Sequence, residues 1–171
     1  MTTDLPPALI ALARAAASEA DPRAVFRAAE AANAALLGHR LFTILFVVPG
    51  GAEVERVHSS DPVAYPLTGR KHMGPTPWGE HVLKQGRTWH GNGMDDIRWA
   101  FYDHETIARL GCAACINIPV REGGEVVGTL NILDAADSYT ERDVATAEVI
   151  GGFLPGALRR AATLAAAAAR G

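Results

Sequence analysis

Apolar residues recur at helical spacing through the first part of the chain and then switch to strand spacing. Pro6 and Pro7 open a segment in which Leu9, Leu12, Ala13 and Ala16 share one helical face. Asp21 and Pro22 then restart the chain as an N-cap and a first helical residue. Val25, Ala29, Ala32 and Leu36, widened by Phe26 and Leu37, form the stripe of a second helix, which Gly38 ends. Leu41–Val48 is dense in β-branched, aromatic and leucine residues. With Pro49-Gly50-Gly51 and the alternating segment Glu53–Ser59 it predicts a hairpin.

From Ser60 to His104 the pattern breaks, with prolines at 62, 66, 75 and 77. A short helix around Gly79–Gln85, a strand at Thr88–His90 and helical pieces at Asp95–Ala100 and His104–Leu110 are the elements it allows. Irregular stretches this long in a compact domain tend to carry function. Regularity returns at Ala113–Val120, which leads through Arg121-Glu122-Gly123-Gly124 into Glu125–Leu133, a second hairpin. Thr140 and Asp143 resemble a capping box opening a helix through Val144, Ala147, Ile150, Leu154 and Leu158, which Pro155 should kink or interrupt. The alanine-rich end, Ala161–Ala169, suits a bundle or dimer helix. The order of elements predicts an α+β fold, one antiparallel sheet covered by helices.

Composition narrows the classes. The chain has 171 residues, 49% of them hydrophobic and 20% charged, with a net charge of −3. That fits one globular domain after a mobile start at Met1–Leu5. No basic stripe could neutralise a run of phosphates, so no nucleic-acid partner is expected. No stretch reaches the ~20 apolar residues of a membrane span, and Asp4 with the early prolines spoils a signal peptide. A cytoplasmic location follows as the expectation, in keeping with just two cysteines, Cys112 and Cys115.

Candidate chemistry gathers in two places. The irregular middle holds Trp78, His81, Trp89, His90, Trp99, Phe101 and His104, together with Asp95, Asp96 and Arg98. Such amphipathic aromatics either line a pocket or plug a core. Arg98 can meet a ligand carboxylate or pair with Asp95 across a helical turn. On the second hairpin, strand parity puts Cys115 and Asn117 on one face and Ile116 and Ile118 on the other. Thr129 and Asn131 repeat this against Leu130 and Ile132, and Thr43 joins the polar set. A polar strip of this kind pairs internally or meets ligand and water.

Cys112 and Cys115 have a Cys-x-x-Cys spacing open to three readings: buried structural or pocket-lining thiols, a nucleophile or redox pair, or metal ligands. No second Cys-x-x-Cys and no His-x-x-x-His completes a metal set, so none is expected. The candidates for catalysis are Cys112, Cys115, His81 and His104, with His90 as a further proton-transfer group. The sequence requires no cofactor.

The segment Ile118-Pro119-Val120 followed by Gly123-Gly124-Glu125-Val126-Val127-Gly128-Thr129-Leu130-Asn131 resembles the terminal strand pair of GAF domains. Thr140-Glu141-Arg142-Asp143 resembles the family's helix-opening segment, and the likeness runs from about Asp21 to Leu158. It divides the chain into a helical extension over 1–20, a GAF domain over 21–158 and the end of the C-terminal helix over 159–171. The resemblance implies a central antiparallel sheet of about five or six strands, terminal helices on one face and a loop and helix cover on the other. It further implies a small-molecule sensor or carrier whose ligand sits between sheet and the Trp78–His104 cover. Thr43, Trp78, His81, Trp89, Trp99, Phe101, Cys115, Asn117, Thr129 and Asn131 are its candidate contacts.

A homodimer through the terminal helices, a free-standing module and a separate output protein are the corresponding partner expectations. Cyclic-nucleotide binders carry an Asn-Lys-x-x-Phe-x-Asp-Glu pattern, and bilin binders a Cys-His dipeptide; neither occurs here. Sulfoxide reductases of the family use three cysteines, one more than this chain has. A small cysteine-dependent enzyme of redox or hydrolytic type and a purely dimerising structural module are the alternatives.

Overall fold

The helical stripes of the N-terminal region become α1, Pro7–Ser18, and α2, Pro22–Leu36. Asp21 accepts the Arg23 amide at 3.0 Å, satisfying one donor that a helix start leaves open. At the other end Gly38 takes a φ of 76°, and its N–H reaches the Asn33 carbonyl at 2.9 Å. This left-handed cap stops the helix as its sequence predicts. The computed structural model describes residues 5–51, 53–72 and 75–170. Most of the expected mobile start, and Gly171, lie outside them.

Six strands follow: β1 Leu41–Val47, β2 Glu53–Ser59, β3 Arg70–His72, β4 Trp89–Gly91, β5 Ala114–Glu122 and β6 Glu125–Asp134. They form one antiparallel sheet in the order β3-β2-β1-β6-β5-β4. Period two decides its faces. Phe42, Ile44, Ile116, Ile118, Leu130 and Ile132 bury against α1, α2 and the two C-terminal helices, α5 (Glu141–Gly151) and α6 (Pro155–Ala168). Leu12 of α1 belongs to this same core. Pro155 interrupts the C-terminal helix outright and begins α6. The opening of α5 carries the predicted box, with the Asp143 carboxylate accepting the Thr140 N–H at 2.8 Å.

The opposite face carries a different cover. Gly79–Lys84 is a π-helical turn, in which the Gln85 N–H reaches back five residues to the Glu80 carbonyl at 2.9 Å. Helices α3, Met94–Ala100, and α4, His104–Arg109, complete the cover. The architecture is α+β with helices on both sides of the sheet. No described helix is long and apolar enough to cross a membrane.

Between α2 and the sheet, Glu30 Oε2 stands 2.5 Å from His58 Nε2, and His39 packs against Phe42. The Asn33 amide nitrogen donates to the Gly38 carbonyl at 3.2 Å and meets His39 Nδ1 at 3.0 Å. Burial lowers the His39 pKa, with the Glu30 charge opposing it. The unfolded chain, with a histidine pKa of about 6.5, takes up the proton first. Stability is thus retained above that pH and falls as pH drops through it toward the folded pKa. Urea midpoints at pH 7.5 and 5.5 should show this acid loss, and a smaller loss in His39→Gln.

Candidate functional site: a cavity between sheet and cover

A one-residue slip in β2 begins the site. Ile44 pairs with His58, yet its neighbour Leu45 pairs with Arg56, leaving Val57 as the extra residue of a bulge. Strict alternation would put Arg56 on the helix side with His58. The bulge instead turns Arg56 to the face of Thr43 and Leu45, where it lines a cavity of about 300 Å³ over β2, β1 and β6.

The floor of that cavity is wired. Asn117 is fully buried, and its amide donates to Asn131 Oδ1 at 2.9 Å. The Asn131 amide donates in turn to Thr129 Oγ1 at 3.1 Å and to Thr43 Oγ1 at 3.3 Å. The predicted polar strip is one hydrogen-bonded chain across β5, β6 and β1. Trp78 ties the cover to it, its indole N–H donating to Asn117 Oδ1 at 3.1 Å. Phe101 packs against Trp78 with ring centroids 6.3 Å apart.

The charged wall comes from residues that period and motif do not mark. Tyr65 donates its hydroxyl to Asp103 Oδ2 at 2.8 Å, and Lys71 Nζ lies 3.6 Å from the same oxygen. Arg56 lies over the Tyr65 ring at 5.0 Å, and its Nη1 donates to the Pro66 carbonyl at 2.8 Å. Its Nε and Asp103 Oδ1 are buried with no hydrogen-bond partner among the described residues. Burial lowers the Arg56 pKa. Burial first, then Asp103, raises that of Tyr65, which keeps its phenolic proton.

Of the residues singled out in the sequence, Thr43, Trp78, Trp99, Phe101 and Asn131 line this cavity. Asn117 and Thr129 stand behind them in the hydrogen-bonded chain. Trp89 stacks on Trp99 at 4.2 Å, with His81 edge-on to both rings. His81 Nε2 is 3.1 Å from the Thr88 carbonyl. Neither Trp89 nor His81 lines the cavity; Trp89 sits to one side because β4, which carries it, is the edge strand two places beyond β6. His104 opens α4 and does not line the cavity, and His90 pairs with Glu141 at 3.2 Å. Arg98 reaches the rim but pairs with Asp95 at 2.7 Å, while Asp96 caps the Asn92 amide.

Cys112 and Cys115 are free, buried thiols in the apolar cluster of Ile97 and Ile107 beside the cavity. Burial pushes Cys112 up to about 11 and Cys115 up to about 12, away from the thiolate that nucleophilic or redox chemistry needs. Among the described residues no cluster of three or more histidines, cysteines or carboxylates could hold a metal ion.

A second, larger depression of about 970 Å³ runs between the β1–β2 turn, Pro75–Lys84 and α6. Lys84 pairs there with Glu80 at 3.1 Å and Arg159 with Glu122, while Glu125 has no ion-pair partner among the described residues. It offers apolar surface without a converging polar group. The smaller cavity is lined by apolar walls together with Thr43, Asn131, Arg56, Tyr65 and Asp103, the combination typical of small-molecule sites.

The model of the GAF domain family matches residues 19–158. The chain superposes on the GAF domain of a phosphoenolpyruvate-protein phosphotransferase from Acinetobacter with a TM-score of 0.72 and 11% identity, over 92% of this chain and 93% of that one. It superposes on free methionine-R-sulfoxide reductase from Neisseria meningitidis, in complex with its substrate, with a TM-score of 0.69 and 17% identity, over 96% and 97%. For the GAF domain of a two-component sensor histidine kinase from Bacillus halodurans the values are 0.68 and 15%, over 86% and 98%. At these identities the likeness is one of fold. No curated protein matches the sequence.

Proposed function

The chain belongs to the GAF domain family, and from that premise we propose that it is a small-molecule sensor or carrier whose ligand occupies the cavity between sheet and cover. The observation that carries this reading is the cavity's construction. The hydrogen-bonded floor of Asn117, Asn131, Thr129 and Thr43 is tied through Trp78 to the roof. A ligand touching floor and roof together would bias the position of the cover, which is how binding becomes a signal. Cysteine-dependent catalysis gains no support from two buried thiols with raised pKa values. A second copy of the chain is the proposed partner for the terminal helices, where Ile10 of α1 and Leu164 of α6 are exposed.

Native mass spectrometry after incubation with a metabolite extract tests this, with Leu45→Trp as the comparison. Leu45 lines the cavity, and a tryptophan there fills much of it. The wild type should carry a small molecule that leaves on denaturation, and the variant should carry far less. Equal occupancy in both proteins would place the ligand elsewhere. The same spectra give the oligomeric mass.

A further inference from the structure

Arg56 is the one cavity-lining cation without a carboxylate partner among the described residues. Asp103 is matched by Lys71 at 3.6 Å and held by the Tyr65 hydroxyl, Arg98 is matched by Asp95, and His72 lies 3.5 Å from Glu53. Arg56 is only 6% exposed. A buried cation without a counter-ion is unfavourable, because neither water nor an anion replaces the hydration it lost.

Its placement is also constructed at a cost to the backbone. The bulge at Val57 turns it into the cavity. The following turn then wraps it: the Arg56 N–H donates to the Gly69 carbonyl at 3.2 Å, and the Thr68 N–H donates to the Arg56 carbonyl at 2.9 Å. Thr68 holds a φ of 60° to do so, a left-handed conformation that a β-branched residue adopts only under constraint. Nη1 is fixed on the Pro66 carbonyl, and the buried Nε has no hydrogen-bond partner among the described residues.

We infer that the cavity takes a small monocarboxylate with an apolar body, its carboxylate paired with the guanidinium of Arg56. The inference rests on the proposed reading of the cavity as the ligand site and adds the ligand's chemical class. A planar two-oxygen anion fits the guanidinium fork. One unmatched positive charge beside Asp103 suits a single negative charge better than a phosphate dianion. Leu45, Leu133 and Phe101 supply apolar wall for the body. A volume of about 300 Å³ lies at the lower end of the ~300–1,000 Å³ range of small-molecule sites and suits a ligand of amino-acid size.

The test compares acids with their neutral amides. Phenylacetate and phenylacetamide, and 4-methylpentanoate and its amide, are titrated into wild type, Arg56→Gln and Arg56→Lys, with tryptophan emission and calorimetry as readouts. At least one acid should bind wild type about tenfold or more tightly than its amide, the value of a charge-assisted hydrogen bond. Arg56→Gln should bring the ratio close to one, with Arg56→Lys between. If Arg56→Gln does not fold, the wild-type ratio alone decides. Acid and amide binding equally well would overturn the carboxylate inference and leave the cavity reading standing. No binding by any probe at millimolar concentration would also overturn it, and the metabolite-extract spectra would then show whether the cavity reading fails as well.

Discussion

Gly128→Val should destabilise the domain by at least about 3 kcal/mol, a large part of the 5–15 kcal/mol that holds an ordinary domain together. Gly128 pairs with Phe46 on β1 and with Val120 on β5, beside the bulge of the second hairpin. A Cβ there would collide with the Leu45 carbonyl oxygen and stand 2.7 Å from Leu158 Cδ1 of α6. The first obstacle is backbone in the centre of the sheet and cannot swing aside, so either β1 moves or the α6 contact opens. Gly93→Ala is the control. Its φ is −148° and its Cβ would meet nothing within 4 Å, so it should stay within about 0.5 kcal/mol of wild type. Urea denaturation of the three proteins gives the comparison. A Gly128 variant as stable as the control would mean that β1 and α6 do not approach β6 this closely.

Asn117→Leu should cost about 2–4 kcal/mol and loosen the cover. Leucine keeps the bulk but orphans the Trp78 indole N–H and Asn131 Oδ1, two groups that among the described residues hydrogen-bond to Asn117 alone. Each buried polar group left unsatisfied costs ~1–3 kcal/mol. Trp78 should then keep its packing on Phe101 but lose its tie to the sheet, with its emission shifted to the red as water reaches it. An unchanged midpoint with unchanged emission would show that the cover is not tied to the sheet through this residue. The effect on binding should exceed the effect on stability, because floor and roof both lose their order.

The sheet's two faces were legible in the sequence because period two survives through β1, β5 and β6. Counting alternate residues is enough to bring Thr43, Asn117, Thr129 and Asn131 together. Arg56 escaped the same count. Glu53–Ser59 reads as regular alternation, and nothing in its residue types announces the extra residue at Val57 that turns Arg56 to the cavity. β3 escaped because Arg70–His72 is a short charged edge strand with no apolar period. Tyr65, Lys71 and Asp103 converge on the cavity only through loop conformation and β3 pairing, which are set by tertiary contacts. Trp89 and His81, expected as ligand contacts, are not among the residues that line the cavity, and for Trp89 that follows from the place of β4 in the strand order. Sequence spacing does not carry that order.

Amide-resolved NMR during a metabolite screen tests most directly whether the space between sheet and cover is a ligand site. The prediction is that binding compounds shift the resonances of Thr43, Arg56, Trp78, Phe101 and Asn131, with weaker effects at Asn117 and Thr129. Shifts confined to Val47–Val54, Lys84 and Arg159 around the larger depression, with the sheet–cover residues unmoved, would contradict it.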